Sequence, residues 1–203
     1  MKPTSAVEAA EPAWDVAYLF PRQGTWSEEE YLSLETNHLV EFSHGHIEVL
    51  PMPTEAHQLI VAYLYDRLLA FLRRYRPGAM VLFAPLPVRL WAGKYREPDL
   101  MVMLTEHADR RHQQYWEVPD LVIEVVSPDY RRHDLETKRR EYAQAGIPEY
   151  WIVDPDEEQI TVLTLEGERY AVHGVFKRGM MARSALLAGF EVAVDKVWAA
   201  ACQ

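Results

Sequence analysis

The amino-acid sequence predicts one mixed α/β (α+β) domain, in which a central mixed β-sheet is flanked by helices and extended by β-hairpins. The first observation is the order of elements: helical segments with capping residues alternate with strand-like apolar runs, and a β-rich stretch follows. The second is size and composition, because 203 residues with 49% hydrophobic and 26% charged residues suit one packed core. We therefore expect a disordered tail over residues 1–12 and a single domain over residues 13–203.

The first third of the chain contains two helix starts and one tight turn. The Ser27-x-x-Glu30 spacing is a capping box and predicts a short helix over 28–37. Strands over 39–42 and 47–50 are expected to form a hairpin that turns at Gly45. Thr54 is expected to cap a long helix that stops before Pro77, since apolar residues recur at three- and four-residue steps: Ile60, Tyr63, Leu64, Leu68, Phe71 and Leu72.

The remaining chain is richer in strands. A helix is expected over 134–145, with Asp134 as its cap and Gly146 at its end. Asp195 is expected to cap a last short helix. Apolar runs predict strands over 80–83, 88–91, 100–104, 121–126 and 150–153, and a terminal hairpin over 159–165 and 169–173.

Composition excludes several classes of protein. No apolar run approaches the roughly 18–20 residues that a membrane helix needs, so we expect no membrane partner. The first residues lack the apolar core of a secretory signal. The single cysteine, Cys202, excludes a disulfide framework and a thiolate zinc site, and it fits a cytoplasmic protein.

Net charge limits how the chain could bind nucleic acid. The 21 basic and 31 acidic residues give a net charge of −10, and phosphate affinity comes from Lys and Arg. Contact with DNA would therefore need local basic clusters. Two clusters exist: Arg67, Arg73, Arg74 and Arg76, and then Arg131, Arg132, Lys138, Arg139 and Arg140.

Glu124 interrupts an otherwise apolar strand, 121–126, and a carboxylate removed from water needs a partner. It is either paired with an arginine, or it is a metal ligand or an acid–base residue. A second acid, Asp99, follows Pro98 on a different strand and can lie beside Glu124. Asp120 follows a proline too, but it shares the strand of Glu124 at a separation of roughly 13 Å, which is hard to bridge with one Mg²⁺. Asp120 is therefore interpreted as a residue at the strand entrance.

Lys138 shares one helix face with Asp134 and Tyr142, because the three are spaced by four residues. It either forms a surface ion pair or points across the sheet edge at the two acids. A lysine beside two carboxylates suits phosphodiester hydrolysis, since the metal activates water while the ammonium offsets developing charge.

These motifs resemble the Uma-type restriction endonuclease family of the PD-(D/E)XK superfamily. The resemblance extends from about Tyr31 to Trp198 and rests on these segments: Pro98-Asp99, 123–128, Asp134, Lys138, Tyr142, 145–146 and 149–155. It implies a restriction-endonuclease-like core. It also implies that Asp99, Glu124 and the Val125 carbonyl bind Mg²⁺, with Mn²⁺ able to substitute.

The resemblance assigns further roles. The superfamily lysine position holds Val126, so the amine is expected from the following helix as Lys138. Glu41 and His57 are candidates for an additional polar residue of the site. The basic residues Arg131, Arg132, Arg139 and Arg140 either form a solvated helix face or bind the nucleic-acid backbone.

The function implied is a Mg²⁺-dependent endonuclease that hydrolyses DNA. A homodimer is a further expectation, because a duplex has two strands to cut. Two alternatives stay open. One is a non-catalytic member of the fold that binds nucleic acid or protein, which the overall acidity and Val126 favour. The other is a phosphodiesterase that acts on small nucleotides.

Overall fold

The computed structural model describes residues 20–36 and 38–202, and it places them in layers around a six-stranded mixed sheet. The expected tail over 1–12 and the residues 13–19 lie outside the described part of the chain. The strand order is β11-β10-β9-β8-β6-β3, in which only β8 and β9 run parallel. The strands are Met80–Phe83 (β3), Leu100–Met103 (β6), Leu121–Val125 (β8), Glu149–Asp154 (β9), Gln159–Glu166 (β10) and Arg169–Lys177 (β11).

A second, smaller sheet has the order β2-β1-β5-β4-β7. It contains the predicted hairpin and two very short strands that the sequence did not predict. Those two, β5 and β7, are two or three residues long and partly charged, so they carry no alternating pattern. The strands are Val40–Ser43 (β1), His46–Val49 (β2), Val88–Trp91 (β4), Lys94–Arg96 (β5) and Trp116–Glu117 (β7), and a separate pair is formed by Met181–Arg183 (β12) and Glu191–Ala193 (β13).

One face of the central sheet is covered by two helices, Glu55–Tyr75 (α2) and Val194–Ala200 (α4). The apolar stripe of α2 packs on alternate residues of β6, β8 and β9, as the three- and four-residue spacing predicts. Burying such a stripe supplies most of the helix's stability. The buried members of the stripe are Ile60, Val61, Leu64, Leu68 and Leu72.

The other face of the sheet packs against the helix Arg139–Ala145 (α3) and the strand β4. Because strand side chains alternate, Val122 and Glu124 project towards this face while Ile123 and Val125 face α2. Glu124 is thereby directed at the segment that carries Lys138. The sheet and its alternation thus decide which helix can reach the buried acid.

One predicted helix end and two predicted caps need correction. The first helix is Glu28–Leu32 (α1) and ends at Ser33, because only Tyr31 of it is buried and no apolar face supports a longer helix. Asp134 is not a cap: it lies inside a π-helical turn, His133–Lys138, and is buried beside Lys138. Asp195 lies in the first turn of α4, and its carboxylate accepts a hydrogen bond from the N–H of Gly179 (2.7 Å).

Other boundaries agree with the sequence. The capping box at Ser27 is formed, Thr54 caps α2, and Gly146 ends α3 with a left-handed backbone (φ 85°). Within the described ranges, no helix combines the length and apolar character needed to cross a membrane.

The cap of α2 provides a test of the fold. The Thr54 side chain accepts a hydrogen bond from the N–H of His57 (3.2 Å) at the start of the helix. We expect Thr54→Ala to lower the free energy of unfolding by about 1 kcal/mol, because that N–H loses its partner. Urea unfolding measures the change. Thr54→Ser keeps the acceptor and should match the wild type, and equal destabilisation by both variants would contradict the assignment.

Candidate active site

Two acids meet at one edge of the central sheet. In the antiparallel pair β6–β8, Leu100 is paired with Ile123, so the next position places Asp99 opposite Glu124. Residues opposite each other in such a pair have Cβ atoms about 5 Å apart. Both residues line one small cleft at this edge. The structure therefore brings the two predicted acids together on neighbouring strands.

Asp120 lies at the other end of β8 and has a structural role. One carboxylate oxygen accepts a hydrogen bond from the N–H of Leu104 (2.7 Å), and the other lies 2.6 Å from Nδ1 of His107. The carboxylate thus holds the turn that follows β6. This agrees with the interpretation of Asp120 as a residue at the strand entrance.

Asp99, Val125 and His57 form one group of contacts. The N–H of Val125 donates to Asp99 Oδ2 (2.7 Å). His57 Nε2 lies 3.2 Å from that same oxygen and 3.1 Å from the carbonyl oxygen of Val125. Burial disfavours the charged form of His57, but Asp99 and the Val125 carbonyl outweigh it and raise the pKa of the imidazole.

Lys138 is enclosed by carboxylates. Its Nζ lies 2.9 Å from Glu124, 3.2 Å from Asp134 and 3.7 Å from Glu41. The side chain is 5% exposed, so the alternative of a surface ion pair is wrong. Burial opposes the charge, but these acids outweigh it and raise the pKa of Lys138 well above its ordinary value. The amine reaches the buried acid from the helix, as the resemblance implies.

Glu124 has two fixed partners. Lys138 contacts one carboxylate oxygen, and the hydroxyl of Tyr142 donates to the other (2.5 Å). Its cation is therefore a lysine, and no arginine pairs with it among the residues described. Burial raises the pKa of Glu124 to about 8, although Lys138 favours the ionised form. Asp99 and Asp134 act in the same direction as burial, because each adds negative charge nearby.

A second layer of buried charge supports Lys138, and the sequence did not predict it. Arg96 is 3% exposed and pairs with both Glu41 and Glu141. Glu141 also accepts from Lys94 (2.8 Å). Burial works against the ionised form of Glu41, but Lys138 and Arg96 hold the pKa of this carboxyl well below its ordinary value. The available signal in the sequence was the run of charges at 94–97, just before Pro98-Asp99. The structure shows that this segment is buried throughout.

Further carboxyl groups lie near Lys138 and Arg96, namely Glu97 and a neighbouring cluster. Glu97 is buried and accepts from the N–H of Val40 (3.0 Å), and burial together with Glu41 raises its pKa to about 8. On the other side, Glu41, Glu48 and His133 place ligand atoms within 4.8 Å of one another. Sequence reasoning did not select Glu97, Glu48 or His133 as site residues.

The four arginines predicted to bind the nucleic-acid backbone differ in whether they already have a partner within the protein. Arg131 forms an ion pair with Asp154 (2.7 Å), and Arg139 donates to the carbonyl of Tyr170 (3.3 Å). Arg132 is exposed and pairs with Glu136 on its own helix. Arg140 is exposed, and no acid lies within ion-pair distance of it in the described chain.

The donor set suits a hard divalent cation. Asp99 and Glu124 supply carboxylate oxygens and Val125 supplies a carbonyl oxygen at one cleft, and Mg²⁺ is bound mainly through oxygen ligands. Carboxyl groups also outnumber lysines and arginines in the lining. One lysine, Lys138, lines the cleft together with four acids: Glu97, Asp99, Glu124 and Asp134. The residues present therefore fit a divalent metal.

The buried ion-pair network generates a stability prediction. We expect Arg96→Met to lower the free energy of unfolding by about 3–5 kcal/mol at neutral pH, because Glu41 and Glu141 lose their shared buried cation. Urea unfolding measures the effect. Adding Glu41→Gln to this variant should recover part of the loss.

Arg183→Met is the matched control, since it breaks an exposed pair with Glu191 (3.0 Å) and should change stability very little. Equal effects of the two arginine substitutions would show that the buried network contributes nothing beyond a surface pair.

Comparisons with known proteins identify the family and support the fold. The model of the Uma2 family, described as "Putative restriction endonuclease", matches residues 28–195. The structure is similar to a crystal structure described as "a putative nuclease belonging to DUF820" from Anabaena variabilis ATCC 29413, with a TM-score of 0.71, 20% identity, and coverage of 87% of this chain and 99% of that chain. No curated protein matches. The predicted fold class and family resemblance are thereby confirmed, and the chain belongs to the Uma2 family.

Proposed function

We propose that this protein is a Mg²⁺-dependent endonuclease that hydrolyses phosphodiester bonds in DNA, with Mn²⁺ able to replace Mg²⁺. The observation that carries the proposal is the meeting of Asp99, Glu124 and the Val125 carbonyl at one cleft. Burial, and to a smaller extent neighbouring acids, raise the pKa of Glu97 and Glu124 to about 8. A divalent cation at the cleft would favour the ionised carboxylates. Membership of the Uma2 family supports the same reaction class.

The metal would be held by Asp99, Glu124 and the carbonyl oxygen of Val125. When bound, it would activate a water molecule and stabilise the negative charge of a phosphate oxygen. His57 contacts both Asp99 and the Val125 carbonyl, so its first role is to orient these two oxygens. The Val125 N–H fixes the Asp99 carboxylate from the other side.

Lys138 would act as the amine of the site. Three carboxylates hold its Nζ, so the ammonium is positioned before substrate binds. From there it can donate a hydrogen bond to the attacking water or to a phosphate oxygen and offset the charge that develops during hydrolysis. Glu41 would support this arrangement by linking Lys138 to Arg96 rather than by touching substrate.

Arginines on the segment 131–140 would hold the nucleic-acid backbone. Arg140 is exposed and available for phosphate contacts, and Arg132 is exposed but paired with Glu136. Arg131 and Arg139 would likewise have to exchange present partners, Asp154 and the Tyr170 carbonyl, for phosphate. The homodimer that would cut two strands stays a prediction of the sequence.

Metal binding is the first test of the proposed site. We expect Mn²⁺ to bind the wild-type protein saturably in isothermal titration calorimetry, and Asp99→Asn to abolish binding because it removes a carboxylate ligand. The same substitution should abolish cleavage of plasmid DNA.

Asp120→Asn is the matched control, because it changes a buried acid that also follows a proline but lies at the far end of β8. It should keep both metal binding and cleavage. Metal binding by Asp99→Asn equal to that of the wild type would overturn the site assignment.

Lys138 gives a separate catalytic prediction. We expect Lys138→Met to lower the single-turnover rate of DNA cleavage roughly a hundredfold, as is typical when one electrostatic donor is removed, while Mn²⁺ binding persists. Lys138→Arg keeps the buried charge and serves to separate loss of folding from loss of catalysis. Lys196→Met removes an exposed lysine and should cleave at the wild-type rate. An unchanged rate in a folded Lys138→Met protein would contradict the assigned role.

A further inference from the structure

A second cleft adjoins the proposed metal site at the same edge of the sheet. It has a volume of about 340 Å³, near the lower end of the roughly 300–1,000 Å³ range of small-molecule sites. The two clefts share three lining residues, Pro51, His57 and Ser127. A group that enters the second cleft is therefore adjacent to a group bound at the first.

The walls of this second cleft are largely apolar. Met52 is 67% exposed although it is a large hydrophobic residue, and it lies at one side of the cleft beside Pro51. Pro155, Ile60 and Trp198 form other parts of the lining. Methionine sulfur makes favourable contacts with aromatic rings, and an exposed apolar wall beside a catalytic cleft is typical of a binding site.

The polar groups of the cleft do not suit a phosphate. Its one arginine, Arg178, is already paired with both carboxylate oxygens of Glu158 (2.5 and 2.7 Å). Asp156 is a second exposed acid in the lining. A further negative group would be repelled by these acids. An uncharged occupant is therefore favoured over an anionic one.

The lining offers apolar surface to an occupant. Trp198 belongs to it although only 5% of the residue is exposed, and its indole N–H is enclosed by protein atoms, so this N–H is not available to an occupant without rearrangement. A flat, uncharged group would suit these walls.

We propose that the second cleft binds the unpaired base of a nucleotide next to the cleaved phosphate. This inference rests on the proposed function, since a phosphate at Asp99 and Glu124 brings the adjacent base to the shared residues His57 and Ser127. A base inside a duplex is stacked and paired, so it must leave the helix to enter. The substrate class is accordingly single-stranded DNA or DNA with an unpaired nucleotide at the cleavage position.

Binding by two oligonucleotides of equal length tests the proposal. One is a fluorescently labelled single-stranded thymidine oligonucleotide, and the other has the same phosphates but abasic sugars. Fluorescence anisotropy in Ca²⁺ measures affinity independently of cleavage. We expect the wild-type protein to bind the thymidine oligonucleotide about tenfold more tightly, which is the scale of one stacked base.

Two alanine positions on α2 provide a matched pair of variants. Ala56 is exposed and lines the second cleft, whereas Ala62 is exposed on the same helix and does not line it. Ala56→Phe should fill the cleft and abolish the preference for bases, and Ala62→Phe should retain it.

The outcomes separate this inference from the proposed function. A base preference that Ala56→Phe removes supports the cleft, even if no variant cleaves DNA and the endonuclease proposal fails. Equal binding of the two oligonucleotides by the wild type overturns the cleft, even if duplex DNA is cleaved. A preference that persists unchanged in Ala56→Phe overturns it as well, because the base then binds elsewhere.

Discussion

The enclosure of Lys138 by carboxylates is the constraint on which the rest of the site depends. An ammonium that is 5% exposed is tolerable only because Glu124, Asp134 and Glu41 surround it, and each acid is tolerable only because the cation is present. Arg96 extends the balance to Glu41 and Glu141. These buried ion pairs therefore join the central sheet, the π-helical turn and the small sheet. Carboxyl groups nevertheless outnumber lysines and arginines in the lining of the cleft at this edge of the sheet, which favours the proposed cation site.

Much of the fold could be predicted from the sequence because its signals are local. Thr54 and the apolar stripe of α2 identify a long helix, and the run 121–125 identifies a buried strand. The errors arise where a local signal does not decide the structure. Asp134 has the residue type of a cap, but it is buried within the π-helical turn and pairs with Lys138 four residues along, which prevails over that preference. The two- and three-residue strands of the second sheet are formed by partners distant in the sequence, so no periodicity predicts them.

Part of the candidate site could also be predicted from the sequence. Glu124 stood out because a charge in an apolar strand needs an explanation, and Asp99 followed from geometry and the family motif. Arg96 and Glu97 did not stand out, since a charged run ordinarily indicates a solvated surface and only tertiary structure shows these side chains to be buried. His133 and Glu48 come close to Glu41 only through the fold. Spatial neighbours from separate elements are the part that one sequence does not reveal.

The two acids and the lysine of the proposed site lie on different elements of the fold. Asp99 and Glu124 belong to the sheet, whereas Lys138 belongs to a π-helical turn that packs against it. Val126, which follows β8 and lies two residues after Glu124, is buried and lines the second cleft. The ligands and the amine are thus carried by independent pieces of chain. Loosening of the turn alone would separate Lys138 from Glu124 and leave the acidic pair intact, so the proposed mechanism predicts that cation binding and bond cleavage are separable.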